Sequence, residues 1–297
     1  MREYTYIRKP AKRKGVPYVA DAVARIIEQW QRSPEWKQLA ENTKKRYNYG
    51  LRWLDEFRRI SVKEIRRRDM LAIRDKIADR SGNAAANSFV NTVSAFLSFA
   101  VDREYVETSP MIRVRRLPMG EWKRWPEPAI DYALEAFPPH LARAVMLGLY
   151  TGQRSGDCAK MRWNDFDGDG FAVKQQKTGA KLWIACHEEL RVALASWPRT
   201  AVTILTDAKG RSWDVTTFQN RMYQEIHRHV ELTGLVFHGL RKSAAARLAE
   251  AGCTVQEIAA ITGHKSLSLI GYYTKDANQR LLASAAILKL EKSKRER

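Results

Sequence analysis

From Val19 to Trp30 the apolar residues Val19, Val23, Ile26, Ile27 and Trp30 recur at three- and four-residue steps. That period predicts an amphipathic helix, closed by Ser33-Pro34. Tyr47, Leu51 and Leu54 predict a second helix, starting at Asn42 or Thr43. The stretches RRDMLAIRDKIADR and NAAANSFVNTVSAFLSFAVDREYV supply two more. Four helices without an alternating run predict an all-α N-terminal domain over 18–117. Residues 118–130, rich in proline and glycine, read as a linker. Helical spacing resumes in HLARAVMLGLYTGQRSGDCAKM and then yields to alternation. Phe171 and Val173 precede a Thr178-Gly179 turn, and Leu182 and Ile184 follow it, which predicts a hairpin. Helices are expected again near 214–229, 238–251 and 254–262, and from Ser266. The fold class is therefore mainly α: an all-α N-terminal domain, then an α-rich domain over 131–280 with a small antiparallel β-sheet. A C-terminal helix and basic tail occupy 281–297.

Composition adds a partner. Lys+Arg number 52 against 33 Asp+Glu, a net charge of +19, and the first 120 residues carry most of the excess. Such an imbalance favours a polyanion, either nucleic acid or an anionic membrane surface. No apolar run approaches a membrane span, and the N-terminus lacks the apolar core of a signal peptide. No membrane is expected, and the location is expected to be cytoplasmic, on the bacterial nucleoid when DNA is bound. Residues 1–17 read as a basic arm. Lys44-Lys45-Arg46, Arg58-Arg59 and Arg66-Arg67-Arg68 place cations on helix faces, and their repetition within one domain favours DNA contact. Cys158, Cys186 and Cys253 form no C-x-x-C pair, so neither a disulfide framework nor a zinc cluster is expected. They read as small buried hydrophobes in a reducing compartment.

Attack on a DNA phosphodiester needs fixed guanidiniums for the anionic oxygens, an acid for the departing 5′ oxygen and a nucleophile that gives up its proton. No metal is needed if enough cations converge. The segment YTGQRSGDCAKMRWNDF resembles the first box of the tyrosine recombinases, the phage integrase family, with Arg154 and Asp157. QQKTGAKLWIAC is similar to that family's hairpin lysine, at Lys177. FHGLRKSAAARLAEAG resembles its H-x-x-R box, giving His238 and Arg241. ITGHKSLSLIGYYTK resembles its closing box, with His264 and a tyrosine nine residues on, Tyr273. Tyr272 points about 100° away on a helix, toward the core.

The resemblance implies roles. Tyr273 is the nucleophile and forms a 3′-phosphotyrosyl link without ATP or other cofactor. Arg154 and Arg241 hold the non-bridging oxygens, and Lys177 protonates the leaving 5′ hydroxyl. His238 assists Tyr273, His264 donates to a phosphate oxygen, and Asp157 orients Arg154 or His238. The implied partners are double-stranded DNA and further copies of the chain, a dimer on each site and a tetramer in the synapse, with a place for a directionality or DNA-bending factor. Lys44, Lys45, Arg46, Arg66, Arg67 and Arg68 are the expected DNA contacts of the helical domain. Asp157 stands where glutamate is more usual, and ITGH replaces L-G-H. No recognisable extra domain precedes the helical one, so arm-site binding is not expected. A DNA-binding regulator on the same scaffold and a topoisomerase-like strand-passage enzyme are the alternative readings.

Overall fold

The computed structural model describes residues 19–264, together with 283, 284, 286–288 and 291 near the C-terminus. The basic arm, the helix expected from Ser266, and both Tyr272 and Tyr273 lie outside the described residues. The chain divides into two compact units, Met1–Gly120 and Glu121–Arg297.

Unit 1 is helical. Helix α1, Val23–Arg32, buries Val23, Ile26, Ile27 and Trp30. Val19 stands before it and is half exposed, because the backbone at Ala22 is occupied by a bridge to Ser61. Ser33 ends α1 and caps α2, Pro34–Lys37, accepting from the Trp36 N–H. Helix α3, Glu41–Leu51, tightens into a 3₁₀ segment, Arg52–Phe57, so Leu54 is buried from that segment rather than from α3. Both helices expected between 67 and 106 are present: α4, Arg67–Asp102, is two helical runs that meet at a kink at Gly82. There φ is 81° and ψ 167°, a conformation open to glycine alone. Trp30 gathers Trp36, Tyr47 and Phe96 within 6 Å of its ring. Gly50 lets α3 meet α4, since a Cβ there would overlap Thr92. An 18-residue window of α4 has a mean hydropathy of 1.3, so a span-length apolar stretch exists where none was expected. More than half of that window is buried inside the protein, as for a core helix.

Unit 2 begins earlier than the expected linker allows. Trp125 is buried and α5 spans Glu127–Ala136, so much of 118–130 belongs to this fold. Trp125 donates from its ring to Val236 O, and its backbone exchanges hydrogen bonds with Ser243 Oγ. Helix α6, Pro139–Thr151, stops at Gly152, whose left-handed φ of 62° closes the helix. A short helix α7, Ser155–Cys158, follows. Strands β1, Gly170–Lys174, and β2, Lys181–Ala185, pair antiparallel from Gly170↔Ala185 to Lys174↔Lys181. Helix α8, Glu188–Ser196, escaped the sequence reading, and α9, Val215–Arg228, is capped by Asp214. Helix α10, His238–Glu250, is buried on nearly every side, its alanines letting α6 and α11 approach. Helix α11, Val255–Thr262, opens with a Thr254–Glu257 capping box and ends at Gly263. The fold is mostly α-helical with one small two-stranded antiparallel sheet among the described residues. Cys158 and Cys186 are buried, Cys253 only partly, and all three are free.

Candidate active site

Two left-handed glycines and one buried helix assemble the site. Arg241, on the first turn of α10, is 1% exposed. A buried guanidinium must be hydrogen-bonded, and Arg241 donates through Nη1 to Gly152 O at 2.8 Å and through Nε to His264 Nε2 at 3.3 Å. Gly152 exposes its carbonyl because α6 ends there, and His264 arrives because Gly263 turns the chain with φ 71°. Thr262 Oγ1 donates to Ile258 O and lies 2.7 Å from His264 Nδ1. The hydroxyl has one proton, already given to the carbonyl, so the imidazole must donate from Nδ1. Its Nε2 is then a lone pair facing Arg241. Burial first, then Arg241, Arg154 and His238, push the His264 pKa down to about 3. In this arrangement His264 supports Arg241 rather than presenting an N–H of its own to a phosphate.

His238 opens α10, half-buried. Its pKa falls to about 4, through burial and then the charges of Arg241, Arg154, Lys177 and Lys242. A neutral imidazole amid cations can accept a proton but is a poor acid. Arg154 stands just before α7, with Nη1 3.3 Å from Gln175 Oε1 and 3.9 Å from Asp157 Oδ2. Asp157 is almost wholly buried and accepts the Gln176 N–H through Oδ1 at 2.9 Å. Its carboxylate therefore faces Arg154 and also docks the hairpin beside it. Lys177 is exposed in the turn between β1 and β2, close enough to depress His238. Lys174 and Lys181 oppose each other across the ladder instead.

Residues 128–280 match the phage integrase family. The chain belongs to that family. Among relatives of this integrase-family chain, the integrase of Enterobacteria phage 434 is 26% identical over 232 residues, covering 72% of this chain and 65% of its own. The integrase of Escherichia phage HK022 is 29% identical over 130 residues, covering 41% of this chain and 35% of its own. The chain thus spans about a third to two thirds of these phage relatives. Tyrosine recombinase XerA of Thermococcus kodakarensis is 27% identical over 205 residues, covering 65% of this chain and 71% of its own. In fold, the phage integrase family chain is similar to lambda integrase residues 75–356 solved as a dimer on a core site. The TM-score is 0.73 at 18% identity, over 87% of this chain and 97% of that one. The Tn1549 transposon integrase gives a TM-score of 0.72 at 14% identity, over 91% and 100%.

Of the residues picked out in the sequence, the structure brings Arg154, Asp157, His238, Arg241 and His264 together, with Lys177 at their edge. Tyr273 lies outside the described residues. In unit 1, Lys45 and Arg46 are exposed on α3, while Lys44 is paired with Glu41 at 2.7 Å. Arg66 and Arg68 are exposed, but Arg67 is committed to the carbonyls of Ile112 and Arg113. The integrase-family site also uses residues the sequence reading passed over: Gln153, Gln175 and Thr262, all buried and mutually bonded. One signal was available. Gln175 continues the inward phase that Phe171 and Val173 set along β1, so a polar side chain there needs buried partners.

Proposed function

We propose that this protein is a site-specific DNA recombinase, cutting and rejoining duplex DNA through a covalent tyrosyl intermediate. The observation that carries the reading is the convergence of Arg154, Arg241, neutral His238 and Asp157 beside the Lys177 turn, on the unit that holds Tyr273. Tyr273 Oη attacks phosphorus, the P–O5′ bond breaks, and the phosphate stays on the 3′ end as a tyrosyl ester. Neutral His238 accepts the phenol proton, and Lys177 supplies one to the departing 5′ oxygen. Arg154 and Arg241 offset the charge gathering on the non-bridging oxygens. Because the ester conserves the bond, a 5′ hydroxyl from a second duplex reverses the step with strands exchanged, and no cofactor is consumed. Double-stranded DNA is the substrate, and the excess of +19 supplies its sequence-independent affinity. Further copies of the chain are the partners, and the exposure of Ile287 and Leu288 near the C-terminus supports that assembly.

The test is a nicked suicide duplex built from the DNA flanking the gene. The wild-type chain should trap a 3′-phosphotyrosyl adduct, Tyr272→Phe should retain it, and Tyr273→Phe should lose it while still binding DNA. An adduct that persists in Tyr273→Phe removes the assigned nucleophile. Supercoil relaxation without strand exchange would point to a topoisomerase instead.

A further inference from the structure

We propose that Gln175 is a positioning residue that sets Lys177 at the distance from the arginine cluster where it can protonate the leaving oxygen. The inference rests on the strand-cleavage reading above.

Gln175 is fully buried just past the end of β1, and both ends of its amide are occupied. Oε1 accepts from Thr178 Oγ1 at 2.8 Å and from Arg154 Nη1 at 3.3 Å. Nε2 donates to Gln153 Oε1 at 2.7 Å and to Thr262 O at 2.8 Å. Gln153 Nε2 in turn donates to the carbonyls of Thr151 and Ile261, both at 3.0 Å. One side chain therefore joins the turn that carries Lys177, the guanidinium of Arg154, the end of α6 and the residue two before His264. Gly263 leaves it room, because a Cβ there would sit 2.5 Å from Gln175 Nε2. The turn itself is thinly held otherwise. Lys177 is exposed, Gly179 has open space around it, and the main fastenings are Gln175 with Ala180, Gly179 and Thr178, and Gln176 with Asp157 and Gly156 O. A lysine on a flexible stem gains reach only if its backbone is fixed, and a misplacement near 1 Å costs catalysis about 10²-fold. Thr178, bonded to Gln175 and adjacent to Lys177, is the link through which the amide acts.

The experiment compares two substrates in single-turnover cleavage: the ordinary suicide duplex, and one whose bridging 5′ oxygen is sulfur, a leaving group that needs no proton. Lys177→Ala calibrates the assay by raising the sulfur-to-oxygen rate ratio. Gln175→Ala should slow cleavage of the oxygen duplex by ~10²-fold and raise that ratio, with DNA affinity near wild type. Thr178→Val, which removes only the hydroxyl from the turn, should raise the ratio in the same direction by a smaller factor, about tenfold. It decides the question even if Gln175→Ala fails to fold. An unchanged ratio in Thr178→Val overturns the proposal, because general damage to the site slows both substrates alike. If the wild-type chain traps no adduct on either duplex, the strand-cleavage reading falls and this inference falls with it. A wild type that cleaves normally while the ratio stays fixed sinks the Gln175 proposal alone.

Discussion

Arg241 donates through Nε to Nε2 of His264 across 3.3 Å, and that bond fixes which nitrogen of the imidazole carries the proton. An arginine cannot accept, so Nε2 must be bare. The proton sits on Nδ1, held by Thr262 Oγ1. Thr262→Val removes this hold on the buried imidazole and one of two donors to Ile258 O, which keeps the Thr262 N–H of α11. We expect a stability loss of about 1–3 kcal/mol, with Arg241 still holding His264 as the Nδ1–H tautomer in long-range ¹H–¹⁵N spectra at neutral pH. Mixed tautomers in the variant would show that the Arg241 bond alone does not fix the proton.

The two site histidines make stability pH-dependent. Folding lowers His238 to about 4 and His264 to about 3, below the ordinary histidine value. The unfolded chain therefore binds more protons than the folded one as pH drops below about 6.5. Stability should be full at neutral pH and fall as pH is lowered from about 6.5 toward 4. Denaturant titrations at pH 7 and pH 5 would measure the loss. His238→Gln and His264→Gln should each flatten it, and the double variant should be flattest.

Gly263 and Gly179 share the left-handed region, with φ of 71° and 69°, but differ in the space around them. A Cβ at Gly179 meets nothing within 4 Å, whereas at Gly263 it would also meet Leu182 at 2.6 Å. Gly179→Ala should cost about 1–2 kcal/mol of backbone strain alone. Gly263→Ala adds overpacking against a buried amide, and a further ~1–3 kcal/mol is expected. Equal losses in thermal unfolding would mean that the Gln175 contact relaxes freely.

In unit 1 the cations separate by what they touch. Arg67→Ala should lower stability by about 1 kcal/mol, since it releases the Ile112 and Arg113 carbonyls. Lys45→Ala and Arg66→Ala should leave unfolding unchanged but weaken DNA binding. For every phosphate that a variant no longer neutralises, the slope of log affinity against log salt should become shallower by about 0.9. Binding isotherms at three salt concentrations would distinguish the two behaviours.

Much of this was legible along the chain. Alternation at Phe171, Val173, Leu182 and Ile184 located the hairpin, and apolar periodicity located most helices. The charged residues of the site could be read because four segments, in order, resemble the boxes of the tyrosine recombinases. What escaped was set by tertiary contact. Helix α5 was hidden behind the prolines around Trp125, which mark its entry rather than a loop. Gln153 and Gln175 look like ordinary polar residues until burial shows that each must be answered.

The entry into unit 2 has a mechanical consequence. Arg124 pairs with Glu250, Trp125 bonds Val236 and Ser243, and Glu127 pairs with Arg247. Gly239 lies so close beneath that a Cβ would sit 2.3 Å from Lys123 O. Three successive attachments thus rivet the incoming chain to α10 and the residues just before it, the helix that presents His238 and Arg241. Tension applied upstream of Trp125 is delivered straight to that helix. His238 and Arg241 ride on that helix, so displacing the entry segment moves them with it.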